Sequence, residues 1–250
     1  MQEGKKIYFA SDFHLGVPTE EKSKEREQKI INWLNSIEPY AEEIFLVGDL
    51  FDFWFEHKYT VPKGFVRFLG KLSSLCDKGV KIHVFTGNHD MWMYDYLPKE
   101  IGVELYRSTI KREFNGFSFL IGHGDGLGPG DKQYKFLKLF FSSRICQWLF
   151  ARLHPNLSFT IANYFSKKSR ATTGEKDAKF LGEKNEWLVQ YCVEHLKNEK
   201  INFFIFGHRH LPLTIKLAEH SEYINLGDWL NHFTYGEFDG KEFQLKKFES

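Results

Sequence analysis

Seven side chains of metal-ligating type stand at five separate points of the 250-residue sequence, each just after a short apolar run: Asp12 and His14, Asp49, Asn88, His123, and His208 with His210. Glycine adjoins most of them, in Gly48-Asp49, Gly87-Asn88, Gly122-His123 and Gly207-His208, and lets backbone and ligand come close. Carboxylate, amide and imidazole donors suit a borderline divalent ion such as Mn²⁺ or Fe²⁺. No cysteine joins the set, which disfavours a structural zinc site. Seven donors suit two ions better than one. Two ions about 3.5–4 Å apart are the usual device for in-line displacement at phosphorus, because they neutralise the phosphoryl oxygens and activate a water. His89 and Asp90 follow Asn88 directly, and a positioned imidazole there can donate a proton to a departing oxygen.

Each piece alone has a blander reading. A single His after a strand is more often structural, and Asp beside Gly is commonest as a turn. Asn-His-Asp is also a serviceable helix cap. What lifts the set above these readings is its repetition at five successive strand ends. Open α/β sheets bind ligands beyond the carboxyl ends of their strands.

The elements that must carry these residues follow from hydrophobic periodicity. Ile7–Ala10, Ile44–Val47 and Val80–Phe85 read as buried strands. Glu20–Ile37 and Val61–Leu75 read as helices between them, with Ile30, Leu34 and Ile37, then Phe65, Phe68, Leu69, Leu72 and Leu75, on one face. The alternation predicts a parallel sheet with helical crossovers. Strands come next at Val103–Tyr106, Thr109–Phe114 and Phe117–Ile121, the last two joined by the hairpin signal Asn115-Gly116. A helical stretch interrupts: Tyr134–Leu153, a second helix from Pro155, and a third over Glu175–Leu196. Strands resume at Phe203–Phe206, Thr214–Leu217, Glu222–Leu226, Phe233–Phe238 and Phe243–Phe248.

Hydrophobic residues at 42% and aromatic residues at 17% can fill a large core and exclude a disordered chain. With no linker-like run, the chain reads as one domain, residues 1–250, carrying an insertion. No apolar run approaches the roughly 20 residues that span a bilayer. Met1–Lys6 leads into the first strand without an apolar signal core. Cys76, Cys146 and Cys192 are odd in number and widely spaced, which fits a reducing cytoplasm better than a disulfide framework.

The net charge of +1 hides an asymmetry. Lys132–Gly174 contains no acid and eight basic residues, so the rest of the chain is net acidic. A basic block rich in Phe, Leu and Trp suits an anionic partner that also has an apolar part, such as a lipid headgroup with its chains. The blander reading is a core-facing amphipathic helix.

In their order, Asp12-His14, Gly48-Asp49, Gly87-Asn88-His89-Asp90, Gly122-His123 and Gly207-His208-Arg209-His210 resemble the calcineurin-like metallophosphoesterase superfamily. The resemblance spans Asp12 to His210 and implies an α/β fold, an αββα sandwich with a dinuclear site. Asp12, His14 and His210 would hold one metal, and Asn88, His123 and His208 the other. Asp49 would bridge them. His89 would meet the phosphoryl or leaving-group oxygen, with Asp90 orienting it.

A closer resemblance lies in Gly48–Trp54, in His123-Gly124-Asp125, in the long insertion and in Asn225–Trp229. These are similar to the UDP-2,3-diacylglucosamine hydrolase family. That family hydrolyses a lipid-nucleotide pyrophosphate to 2,3-diacylglucosamine 1-phosphate (lipid X) and UMP in lipid A biosynthesis. The resemblance implies that residues 125–198 form a helical lid over the acyl chains. It also implies substrate contacts from Asn88, His89, Asp131, Tyr134, Ser169, Lys176 and His208, two divalent ions with Mn²⁺ foremost, and a cytoplasmic protein held peripherally at the inner membrane. The alternatives are a phosphoesterase of the same fold acting on another nucleotide, a phosphoprotein or a nucleic acid, a scaffold without catalysis, and a nucleic-acid-binding module. The complete ligand set speaks against the scaffold. The absence of common nucleic-acid motifs speaks against the last.

Overall fold

The computed structural model describes residues 1–129, 132–162, 164–166, 180, 182 and 185–249. Two sheets face each other. The first has six strands in the order β11-β10-β1-β2-β3-β4, where β1 is Lys6–Ala10, β2 Ala41–Val47, β3 Lys81–Phe85, β4 Glu104–Tyr106, β10 Thr234–Phe238 and β11 Phe243–Lys247. The second has five strands in the order β5-β6-β7-β9-β8, from Ile110–Phe114, Phe117–Gly122, Phe203–Phe206, Ser221–Leu226 and Pro212–Ala218. β1 to β4 are parallel, as the strand–helix alternation predicts, while β10 returns antiparallel against β1. In the second sheet β6, β7 and β9 are parallel.

Side-chain alternation along each strand divides the core. Ile7 and Phe9 point inward to Phe119, Ile121, Ile205 and Ile224 of the other sheet, and the Phe9 and Phe119 rings stack 6.0 Å apart. Tyr8 and Ala10, one step out of phase, pack under the helices α1 (Glu20–Ile37) and α2 (Val66–Asp77). The helix α6 (Trp187–Leu196) covers the outer face of the second sheet through Leu188, Val189 and Cys192. The layers are therefore α, β, β, α.

The α1 boundaries match the sequence reading, and Thr19 caps the helix by accepting from Lys22 N. α2 begins five residues later than expected. Gly64 at φ +106° and Phe65 at φ 57° hold the chain out of helical conformation until Val66. The expected helix Tyr134–Leu153 is two helices, α3 (Lys132–Ser142) and α4 (Arg144–Phe150). Ser143 at ψ 138° breaks the run, and its side chain caps the second helix by accepting from Cys146 N. A helix at 155–162, α5, starts on Pro155, where a missing N–H costs nothing. Of the third expected helix, Glu175–Leu196, the described part is α6 from Trp187; residues 175–179, 181, 183 and 184 lie outside the described residues. Asn115 and Gly116 have φ of 50° and 83°, the left-handed pair a tight hairpin requires.

Candidate functional site

β1, β2 and β3 of one sheet and β6 and β7 of the other end on the same side of the sandwich, and the loops beyond them are knitted together. Asp12 N donates to Gly48 O at 3.0 Å and His14 N to Asp49 O at 2.9 Å, so the first two loops pair beyond their strands. Gly207 N donates to His123 O at 3.0 Å and joins the two loops of the second sheet. Asp12, His14, Asp49, His208 and His210 all have φ between 44° and 68°. This left-handed conformation is costly for residues with a Cβ, and such strain persists where surrounding structure enforces it. The glycines are needed for space. A Cβ on Gly87 would lie 2.1 Å from Asp49 Oδ1, one on Gly48 2.4 Å from His123 Nδ1, and one on Gly207 2.5 Å from Asp12 Oδ2.

The seven residues gather into two groups. Asp12, His14, Asp49 and His210 form one; Asp49, His123 and His208 form the other, so Asp49 belongs to both. Asn88 joins the second group, its Oδ1 lying 3.2 Å from His123 Nε2. His14 Nε2 and His210 Nε2 face each other at 3.2 Å, and Asp12 Oδ1 is 3.3 Å from His210 Nε2. The remote nitrogens are held from behind. His123 Nδ1 donates to Val47 O at 2.9 Å, and His210 Nδ1 lies 3.4 Å from Asp228 Oδ2. Such supports fix the tautomer and aim Nε2 into the site. Asp228 in turn accepts from Asn231 N and His232 N.

The donor set fits divalent cations. Asp12 and Asp49 are buried, yet the neighbouring imidazoles outweigh burial and hold both carboxyls below the usual range. Two ionised carboxylates out of water need positive charge beside them. Asp12 Oδ1 is buried and makes no hydrogen bond among the described residues. Burial would depress His123, but the Asp49 carboxylate lifts it to about 10. Burial, with the His123 charge beside it, pushes His208 down to about 4.

His89 stands at the edge of this array. Its backbone N donates to Asp49 Oδ1 at 2.8 Å, and its ring meets His14 edge-on at 4.9 Å. Its Nδ1 lies 3.0 Å from Asp52 O. A carbonyl only accepts, so the proton sits on Nδ1 and Nε2 is left for a ligand. Burial pushes the imidazole down to about 4, against the pull of Asp49, so it is neutral near pH 7. Asp90 does not orient this ring among the described residues. Its Oδ1 accepts from Gly87 N at 2.7 Å and its Oδ2 from Leu50 N at 2.7 Å, so it ties the second and third loops together. The residue beside the His89 ring is Asp52, to which the sequence reading gave no role.

Above the site sit α3, α4 and α5. Neither α3 nor α4 has a fully buried side chain among those described, and Phe136, Leu139, Phe140, Ile145, Trp148 and Leu149 are all exposed. The core-facing reading of this stretch is therefore set aside. Among the described residues, Phe150 packs on Phe55 and Trp92 at 4.8 and 4.6 Å, Phe159 on Phe53 at 5.1 Å, and Phe141 on Trp92 at 5.9 Å. Two polar fastenings hold the ends. Tyr134 Oη donates to Asp125 Oδ2 at 2.6 Å and Lys138 Nζ pairs with the same oxygen at 2.6 Å, two residues after His123. The Glu186 carboxylate grips the buried Arg209 guanidinium through two bonds of 2.9 Å, between His208 and His210. Tyr134 also lies 6.3 Å, ring to ring, from His208. Asp131, Ser169 and Lys176 lie outside the described residues.

A two-sheet α/β sandwich that presents carboxylate, amide and imidazole donors from five strand ends is a metal-dependent phosphoesterase, and the calcineurin-like phosphoesterase family matches residues 5–212. The sequence is 38% identical over 258 residues to a UDP-2,3-diacylglucosamine hydrolase of Porphyromonas gingivalis, with 98% of each chain covered. It is 28% identical to the protein of that name from Aliivibrio fischeri, over 97% of this chain and 98% of that one. The chain belongs to the UDP-2,3-diacylglucosamine hydrolase family within the calcineurin-like phosphoesterases. Among solved structures, a phosphoesterase from E. coli aligns at 14% identity with a TM-score of 0.47, covering 97% of this chain and 92% of that chain.

Proposed function

We propose that this protein hydrolyses the pyrophosphate of UDP-2,3-diacylglucosamine at its α-phosphorus, giving lipid X and UMP. The observation that carries the reading is the pair of ligand groups sharing Asp49, set beneath a basic lid whose apolar side chains are left open. In this reading Asp12, His14 and His210 hold one divalent ion, Asn88, His123 and His208 the other, and Asp49 both. The bound ions, Mn²⁺ foremost, supply charge neutralisation at the phosphoryl oxygens and lower the pKa of water.

The chain's own residues do the rest. His89 presents Nε2 to a phosphoryl or leaving-group oxygen, because its Nδ1–H is engaged by Asp52 O. An arriving anion raises the pKa of this imidazole and favours a proton on Nε2. Residues 125–198 act as the lid. Exposed Leu139, Phe140 and Trp148 receive acyl chains, at about 0.8 kcal/mol for each CH₂ removed from water. Tyr134, beside His208, with Asp131, Ser169 and Lys176, contacts the sugar and phosphate.

The same apolar and basic face supports peripheral association with an anionic membrane, where the substrate resides. No described helix is long and apolar enough to cross one. The test is mass spectrometry of the products from UDP-2,3-diacylglucosamine, before and after metal stripping and with Mn²⁺ or Mg²⁺ restored. Lipid X and UMP should appear only with metal, and faster with Mn²⁺. An enzyme that cleaves bis(p-nitrophenyl) phosphate but leaves the lipid nucleotide intact would move the assignment to another phosphoester.

A further inference from the structure

Ser166 is where the segment above the site touches His89 and Asp52. It lies on the helical residues 164–166, in the segment that covers the site. Its hydroxyl donates to Asp52 Oδ2 at 2.8 Å. With the hydroxyl hydrogen spent on Asp52, the Ser166 oxygen turns a lone pair outward, and that oxygen is 3.4 Å from His89 Nδ1. The Nδ1–H of His89 therefore faces two acceptors, Asp52 O from the body at 3.0 Å and Ser166 Oγ from the lid. The Asp52 carboxylate is buried behind them, its Oδ1 3.7 Å from Nδ1 of both His89 and His14.

We propose that Ser166 is a positioning residue for His89: seated against Asp52, it sets the rotation of the imidazole, so that turnover depends on the lid being in place even for a substrate without acyl chains. The inference rests on the reading of His89 as the group that meets the phosphoryl or leaving-group oxygen. An imidazole has one free torsion between Cβ and the ring, and the direction of Nε2 follows whatever holds Nδ1. With Asp52 O alone the ring is held from one side. Ser166 supplies the second contact, from the segment above the site. A hydrogen-bonded donor that must aim at a reacting oxygen loses rate steeply when it is turned away.

Asp52 itself is a poor probe, because its carboxylate also faces His14, one of the candidate ligands. Ser166 touches no candidate ligand directly in any hydrogen bond described, so its replacement leaves the metals as a control. The experiment is a double-mutant cycle on bis(p-nitrophenyl) phosphate, a small diester that does not need the acyl surface, with Ser166→Ala, His89→Ala and the pair together. Metal content and melting temperature are measured on each variant. Ser166→Ala should lower kcat about fivefold with KM nearly unchanged and both metals retained. Ser166→Thr, which keeps the hydroxyl, should restore most of the rate. In the His89→Ala background the same Ser166→Ala change should have no further effect, since the ring it positions is gone.

A fivefold loss that persists in the His89→Ala background would show that Ser166 acts elsewhere, and unchanged kcat in the single variant would show that it positions nothing; either overturns the proposal. If His89→Ala alone leaves turnover intact, the reading of His89 falls and takes this inference with it. The two failures are thus distinguishable.

Discussion

Adding one methyl group at Gly87 should disable the metal centre without replacing any ligand, by crowding Asp49. The Cβ of an alanine there would lie 2.1 Å from Asp49 Oδ1 and 2.6 Å from Asp49 N, where ordinary contact needs 3.4 Å or more. The carboxylate must give way by about 1.3 Å, the difference between those distances. It is pinned while doing so, because Oδ1 also takes the His89 backbone N–H at 2.8 Å and Oδ2 lies 3.3 Å from His123 Nε2. Overpacking of this kind costs about 1–3 kcal/mol of stability. A misplacement of about 1 Å in a reacting array can cost on the order of 10²-fold in rate. Because Asp49 belongs to both ligand groups, both metals should weaken together. The assay is elemental analysis of the purified variant with kcat on a small diester, alongside Gly70→Ala as a control. Gly70 lies inside α2 with nothing within 4 Å of its Cβ position, so alanine there should stabilise by about 0.5–1 kcal/mol and leave the metals alone. Full metal occupancy and parental turnover in Gly87→Ala would refute the reasoning.

Leu139 is 72% exposed, so Leu139→Asp should barely move the melting temperature; hydrolysis of the diacyl nucleotide should fall at least tenfold while a small diester is cleaved normally, and parallel loss on both substrates would contradict an acyl-binding role. Glu186→Ala removes one half of a buried ion pair and should cost about 3–5 kcal/mol, read by denaturant unfolding. It should also weaken metal affinity, since Arg209 lies between two candidate ligands; unchanged metal titrations would separate the fastening from the site. In the metal-free protein His123 is raised to about 10 from 6.5, so the stability it contributes is complete below about pH 6.5 and is lost as pH rises through about 10. Metal uptake near neutral pH should therefore release a proton, measurable as a buffer-dependent binding enthalpy, and the metal-loaded protein should not show that alkaline loss.

The candidate site was legible in the sequence to an unusual degree because its donors sit one or two residues beyond buried strands. A strand is readable from Phe203–Phe206 or Ile44–Val47 by apolar content alone, and parallel strands in facing sheets bring such ends together. The residues behind the ligands were not legible in the same way. Asp52, Asp125 and Asp228 occupy loops with no periodicity, and nothing in Asp52-Phe53-Trp54 distinguishes a carboxylate beside His89 from one in water. Asp90 was misplaced for the same reason: adjacency to His89 in sequence suggested a partner, whereas successive side chains after a strand point apart, and Asp90 turns back to the N–H groups of Gly87 and Leu50. The helix break at Ser143 was hidden because Ser-Ser-Arg costs little inside a helical pattern. It became a boundary only where the hydroxyl could cap the helix beginning at Arg144.

The two polar fastenings of the lid bear on how such enzymes can be recombined. Asp125 and Arg209 belong to the metal-bearing loops, while Lys138, Tyr134 and Glu186 belong to the segment above them. An exchange of residues 125–198 would carry Asp125 along with Tyr134 and Lys138, but would part Glu186 from Arg209. A chimera cut at the visible edges of the insertion would leave Arg209 buried without a partner wherever the incoming segment has no acid at the Glu186 position. Its failure would be one of folding around the metal loops and not of substrate fit. Glu186 and Arg209 would therefore have to be exchanged together.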